Sequence, residues 1–131
     1  MGIIEPFIIP VRDAQAAQAA IIAVLVLIVL DIVFGLANAL IHREYSSQIM
    51  REGIAHKCAE LGFILVGIVV DATIISGIDL GFAAPVLMSV CIYLCIMEIG
   101  SLLETFAKMN PALADTPLFK LLVSTHANRR A

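Results

Sequence analysis

Residues 19–41 read AAIIAVLVLIVLDIVFGLANALI, with Asp31 the one ionisable side chain in the run. At about 1.5 Å per residue this run makes about 34 Å of helix, enough to cross a ~30 Å hydrocarbon core with some tilt. Residues 14–18 before it are good helix formers, so the helix is expected to begin near Asp13 as a cap. Pro6 and Pro10 are expected to keep the first ten residues from forming one regular helix. Glu5, Arg12 and Asp13 precede the run in place of a basic leader, and the run is too long for the apolar core of a secretory signal. It is expected to remain in the mature protein.

The rest of the chain has the same character. Its 131 residues are 61% hydrophobic and 15% charged, against roughly 45–50% and about 25% for soluble domains. One domain this small has no core large enough to hide so much apolar surface, so lipid is the expected solvent. A polar connection, residues 42–57, reads HREYSSQIMREGIAHK, and Ser46 and Ser47 are expected to start a short interfacial turn there. A second apolar run covers residues 58–75 and extends to 78, and a third covers 82–103. Ser76, Gly77, Asp79 and Gly81 between them read as a tight turn, with Pro85 in the first turn of the following helix. The third helix is expected to continue to Met109, where Asn110-Pro111 stops it. Residues 116–125, TPLFKLLVST, read as a short amphipathic helix capped by Thr116 with Pro117 at its first position, and the end at Arg129 and Arg130 as frayed. The expected architecture is all-α and integral to the membrane: one helix, a basic loop, a helical hairpin, and a C-terminal tail over residues 110–131.

Basic residues near the spans set the expected orientation. Arg43, Arg51 and Lys57 lie in the first connection, and Lys108, Lys120, Arg129 and Arg130 follow the third span. The N-terminal segment has only Arg12, and the second connection has none. With three spans both basic segments fall on one side, which places the N-terminus outside and the C-terminus in the cytoplasm. One span more or fewer would put them on opposite sides.

The spans carry acids. Asp31 is deep in the first, Glu60 and Asp71 flank the second, and Glu98 lies in the third with Glu104 at its end. An ionised carboxylate at mid-bilayer costs roughly 2.5–3.5 kcal/mol on insertion scales, so these groups should face away from lipid. Helical spacing lets them do so. Asp31, Gly35, Asn38 and His42 share a face, as do Lys57, Glu60, Ile64, Gly67 and Asp71, and Ala84, Met88, Cys91, Cys95 and Glu98. Each stripe mixes small and polar groups, which suits close helix packing and hydrogen bonding in lipid. Two readings stand: protonated or hydrogen-bonded glue within a helix bundle, or an assembly face that becomes the water-facing wall of an oligomer. The candidates for the second are Asp31, Gly35, Asn38, Glu60, Gly67, Asp71, Cys95, Glu98 and Glu104. Lys57 and Glu60, three apart, read as an interfacial ion pair.

Other chemistry is not expected. Cys58, Cys91 and Cys95 form neither a CxxC pair nor an even set, and they read as small packing residues. His42 and His56 share a connection without a ligand set. No nucleophile–base arrangement and no phosphate-binding glycine loop is present. The sequence predicts no enzyme, no cofactor, no metal and no nucleic-acid partner.

The stretch CIYLCIMEIGSLLETFAKMNPALADTP, residues 91–117, resembles the signature of the three-span phage holin family that also includes toxin-secretion holins. Tyr93, Glu98, Ser101, Leu102, Leu103 and Glu104 carry that resemblance. Asp31 followed by Gly35, the Ser46-Ser47 turn, and Gly53 with Lys57 extend it over residues 25–117. Met97 and Thr105 stand where the family commonly has asparagines, and the arginine often found ahead of the third helix is missing. The resemblance implies a homo-oligomer in the bacterial cytoplasmic membrane that opens lesions for a cell-wall hydrolase or an exported toxin. Two other functions fit the residues alone: a small proton or cation channel or transporter subunit, and a structural subunit of a larger membrane complex.

Overall fold

The computed structural model describes residues 2–82 and 84–130, with the side chains of Arg129 and Arg130 outside the described set. Ala83, inside the expected third run, and the two arginines used for orientation therefore lie outside the described residues or side chains. The order is α1 (Glu5–Arg12), α2 (Gln15–Ile41), α3 (Ser47–Ile75), α4 (Val86–Met109), α5 (Pro111–Ala114) and α6 (Pro117–Arg130). Three of these, α2, α3 and α4, are long and apolar enough to cross a membrane. At 1.5 Å per residue they are about 40, 44 and 36 Å long.

The helix limits differ from the hydropathy limits in four places. First, α1 forms despite its two prolines. Pro6 sits in the first turn, where its missing N–H would have had no partner, and the buried Pro10 costs a bond only at the Pro6 carbonyl. Second, Asp13 does not cap α2. Its carboxylate takes two hydrogen bonds from the Arg12 guanidinium at 2.6 and 2.9 Å, which hold it below the usual carboxylate range. Ala14 occupies the cap position instead. Third, most of the polar connection is helix. Ser46 caps α3, accepting from the Ile49 N–H at 3.2 Å, and α3 runs unbroken from Ser47 through the second apolar run. Fourth, α4 begins at Val86, with Pro85 at the cap rather than within the first turn.

The two connections close alike. After α2, Glu44 N–H donates to Ala39 O at 3.0 Å and Arg43 N–H to Leu40 O, with Arg43 left-handed at φ 54°. After α3, Ile78 N–H donates to Thr73 O and Gly77 N–H to Ile74 O, with Gly77 at φ 88°. Both are Schellman closures, one with the residue suited to that conformation and one without it.

The middle position belongs to α4. Of its most apolar 18-residue window 33% is buried, against 11% for α2. It packs on α2 and on α3, whose backbones scarcely approach each other. Ala17, Val24 and Ile28 of α2 and Leu87, Val90, Cys91 and Leu94 of α4 build the core with Ile64 of α3. The α2 seam continues through Asp31, Gly35 and Asn38 in alternating steps of three and four, the left-handed bundle pattern. Phe34 and Phe106 close the far end of the α2–α4 contact edge to face, ring centres 4.9 Å apart. Lipid tails are as apolar as these side chains, so close contact and polar bonds hold the helices together, not expulsion from water.

Asn110 ends α4, as its Asn-Pro step predicts. Thr116 Oγ1 accepts from the Phe119 N–H at 3.3 Å and starts α6 with Pro117 at its first position. The helix extends to Arg130, five residues beyond the expected one, and its apolar residues are grouped along the axis, in residues 118–123, rather than on one face.

Candidate functional site

Glu98 lies at the middle of α4 and is 1% exposed. Its carboxylate accepts two hydrogen bonds from Lys57 Nζ, at 2.5 and 2.6 Å. The same ammonium lies 2.9 Å from Asp31 Oδ2 on α2 and 3.5 Å from Glu60 Oε2, one turn further along α3. Glu60 Oε2 is buried there with no hydrogen-bond partner among the described residues. Ser101, three residues beyond Glu98, donates to Asp31 Oδ1 at 2.7 Å. One cation thus ties α2, α3 and α4 together at a single depth. His56 adds a contact at the rim, 2.9 Å from Glu60 Oε1.

Why these residues meet follows from the seams. Lys57 and Glu60 are on the α3 face that continues through Ile64 and Gly67 toward α4, and all four are buried. Glu98 is on the α4 stripe of Leu87, Cys91 and Leu94. Among the described residues Lys57 is the one lysine or arginine that meets these three carboxyl groups, so with His56 neutral two negative charges are uncompensated if all three acids ionise. In a low-dielectric interior that excess is expensive, so protons or water must offset it. A polar cavity of about 410 Å³ borders the cluster, lined by Asp31, His56, Lys57, Glu60, Glu98, Ser101, Glu104 and, from α6, His126.

Asp71 is placed elsewhere. It lies at the α3–α4 turn and accepts from the Val86 and Leu87 N–H groups at 2.8 and 3.1 Å. Pro85 has no side chain able to cap α4, and Asp71 supplies the acceptor from the neighbouring helix, where the helix dipole also favours a negative charge. Gly67 is the point of closest approach: a Cβ there would lie 3.0 Å from Leu87 Cα. Gly35 has open space around it, and the buried Asn38 Oδ1, on the same seam, has no hydrogen-bond partner among the described residues. Cys95 is half-buried beside the core. Glu104 is exposed and pairs with Lys108 at 3.4 Å.

The structure therefore brings together Asp31, Glu60 and Glu98 of the expected set, with Glu104 on the wall of the adjoining cavity, and keeps Asp71, Gly35 and Asn38 apart from them. Sequence reasoning passed over Lys57 as the organising residue. The available signal was that three acids needed a cation and that Lys57 is the one cation abutting an apolar run. Ser101 and His126 were also outside the set. Among the described residues no group of His, Cys, Asp and Glu is arranged to hold a metal ion.

Comparison with curated proteins and with solved structures gave no match. The family model of the bacteriophage holins matches residues 15–120, which takes in α2, α3, α4, the Lys57 cluster and the start of α6. With three helices fit to cross a bilayer and a match over most of its length, the chain is a multi-pass membrane protein that belongs to the bacteriophage holin family.

Proposed function

We propose that this protein is a homo-oligomeric hole former of the bacterial cytoplasmic membrane, and that its opening releases a cell-wall hydrolase or an exported toxin. The observation that carries this reading is the buried clamp of Lys57 with Asp31, Glu60 and Glu98. Four ionisable groups on membrane-crossing helices cost on the order of 10 kcal/mol unless they are paired or hydrated. In the single protomer Lys57 draws Asp31, Glu60 and Glu98 inward between the three helices. Three helices enclose no lumen wide enough for a folded protein, so a hole needs many copies. In such an assembly the clamp opens and its polar stripes become the wall facing water.

Within that reading the α2 seam below Asp31 supplies the contact between copies. Gly35 leaves room for a neighbouring helix, and Asn38 holds a polar atom with no partner among the described residues. Glu104, Gly67 and Cys95 line or support the same polar side of α4. The proposed orientation has the N-terminus outside. Arg43 and Arg51 beside the α2–α3 turn, Lys108 in the last turn of α4 and Lys120 beyond it are the basic residues at the proposed cytoplasmic end. Lys57 drops out of that count because it is buried.

The test is expression in a bacterium while following dye entry and escape of a cytoplasmic enzyme. Abrupt passage of whole enzyme supports the proposal. Ion leakage with no escape of protein replaces it with a channel, and intact cells with inserted protein replace it with a structural subunit.

A further inference from the structure

The N-terminal helix α1 lies before the residues that the family model matches. It has three distinct sides. Pro10 is buried, with Pro6 and Ile9 half-buried on the same side, where the helix packs on α3 and on α2. Pro10 also borders an apolar cavity of about 320 Å³ beside Asp71 and Pro85, which places α1 at the end of the bundle where α3 stops and α4 starts. Glu5 and Arg12, seven residues apart, form a narrow polar edge. The third side is apolar and largely uncovered: Ile4 is 70% exposed and Phe7 and Ile8 are each 46% exposed, with Val11 half-buried between Phe7 and Ile4.

We infer that α1 is an interfacial helix, seated with its Ile4, Phe7 and Ile8 side in the acyl-chain boundary of the leaflet that meets the α3–α4 turn. Lipid is the occupant because the exposed side continues a lipid-facing surface. Only two residues separate α1 from the membrane-crossing α2, whose Ile22, Leu25 and Val26 are exposed in the same way. A polar edge beside an apolar side is the arrangement that holds a helix in the plane of an interface. The buried side then makes α1 a brace, tying the turn end of the α3–α4 hairpin to the leaflet surface. This inference needs the membrane location but not hole formation.

The chain has no tryptophan, so Phe7→Trp installs a single indole, excited apart from the two tyrosines, on the uncovered side. The full-length variant is reconstituted in phosphatidylethanolamine–phosphatidylglycerol vesicles whose acyl chains are brominated either near the carbonyl or near the terminal methyl. Val26→Trp on α2 serves as a separate reporter of insertion. Blue-shifted Phe7→Trp emission, quenched more by the carbonyl-proximal bromines, is the expected result. Emission at the wavelength of a hydrated indole, unquenched by either lipid while Val26→Trp is quenched, overturns the inference. Stronger quenching by the deep bromines overturns the interfacial placement. A blue shift that disappears on dilution into excess lipid assigns the side to a second copy instead. Failure of Val26→Trp to quench would instead count against insertion of the bundle itself.

Discussion

Lys57 and Glu98, forty-one residues apart in the chain, meet through two short hydrogen bonds inside the helix bundle. Removing one partner of such a pair leaves the others buried and unpaired. Lys57→Met should lower unfolding stability in detergent by about 3–5 kcal/mol. Lys57→Met combined with Glu98→Met should recover part of that loss, because two apolar residues replace a desolvated pair. Denaturant titration of purified protein reads both. Equal stability of the single and parent proteins would remove the clamp from the account of how the bundle holds together.

The clamp also bears on timing. Under the proposed function, Asp31→Leu or Glu98→Leu should advance, delay or block lesion formation while membrane insertion persists. The readout is culture turbidity against time with the membrane level of the protein matched. Identical schedules for both variants and the parent would separate the acidic stripes from assembly.

Asp71 acts as the cap of a helix that is not its own. Asp71→Ala should cost about 0.5–2 kcal/mol, as for loss of an ordinary cap. The effect should be local, seen as faster amide exchange at Val86 and Leu87, with exchange across the middle of α2 unchanged.

The two glycines on the seams should respond in opposite ways. Gly67→Ala drives a methyl against the Leu87 backbone, and overpacking of this kind costs roughly 1–3 kcal/mol. A Cβ at Gly35 meets nothing within 4 Å, so Gly35→Ala should raise folding stability by about 0.5–1 kcal/mol, as alanine replaces glycine inside a helix. If the open α2 seam is where copies meet, Gly35→Leu should reduce chemical cross-linking between copies and leave the monomer stable.

Arg43 takes the left-handed conformation that glycine takes at the equivalent position after α3. For a residue with a Cβ that conformation costs about 1–2 kcal/mol. Arg43→Gly should raise thermal stability by about 1 kcal/mol or less, since glycine also adds freedom to the unfolded chain. Gly77→Ala should lower it. A scan of both variants beside the parent checks the pair of signs.

Much of this architecture could be read from local sequence. The three apolar runs identify the spans, Asn110-Pro111 ends α4, and Thr116-Pro117 starts α6 at the residues expected. The longer reach of α3 was hidden because hydropathy marks the part of a helix that suits lipid, not the part that is helical. The ten residues after Ser46 are helical although half of them are polar or charged. The helix at Pro6 and Pro10 was hidden because proline's cost depends on whether the lost bond existed, and in a helix of eight residues few such bonds exist. The candidate site was legible as stripes but not as a cluster. Whether Lys57 reaches Asp31 and Glu98 depends on the depth at which α2, α3 and α4 stand relative to one another. No single window carries that register.

The placement of Glu98 and Ser101 three residues apart on α4 makes two bonds into one event. Glu98 holds Lys57 of one neighbour, and Ser101 holds Asp31 of the other. A slide of α4 along its axis by one turn, about 5.4 Å, would carry both groups out of reach together. Lys57 and Asp31 would stay paired across the two outer helices, so such a slide frees α4 from both neighbours at this depth while leaving those neighbours tied to each other.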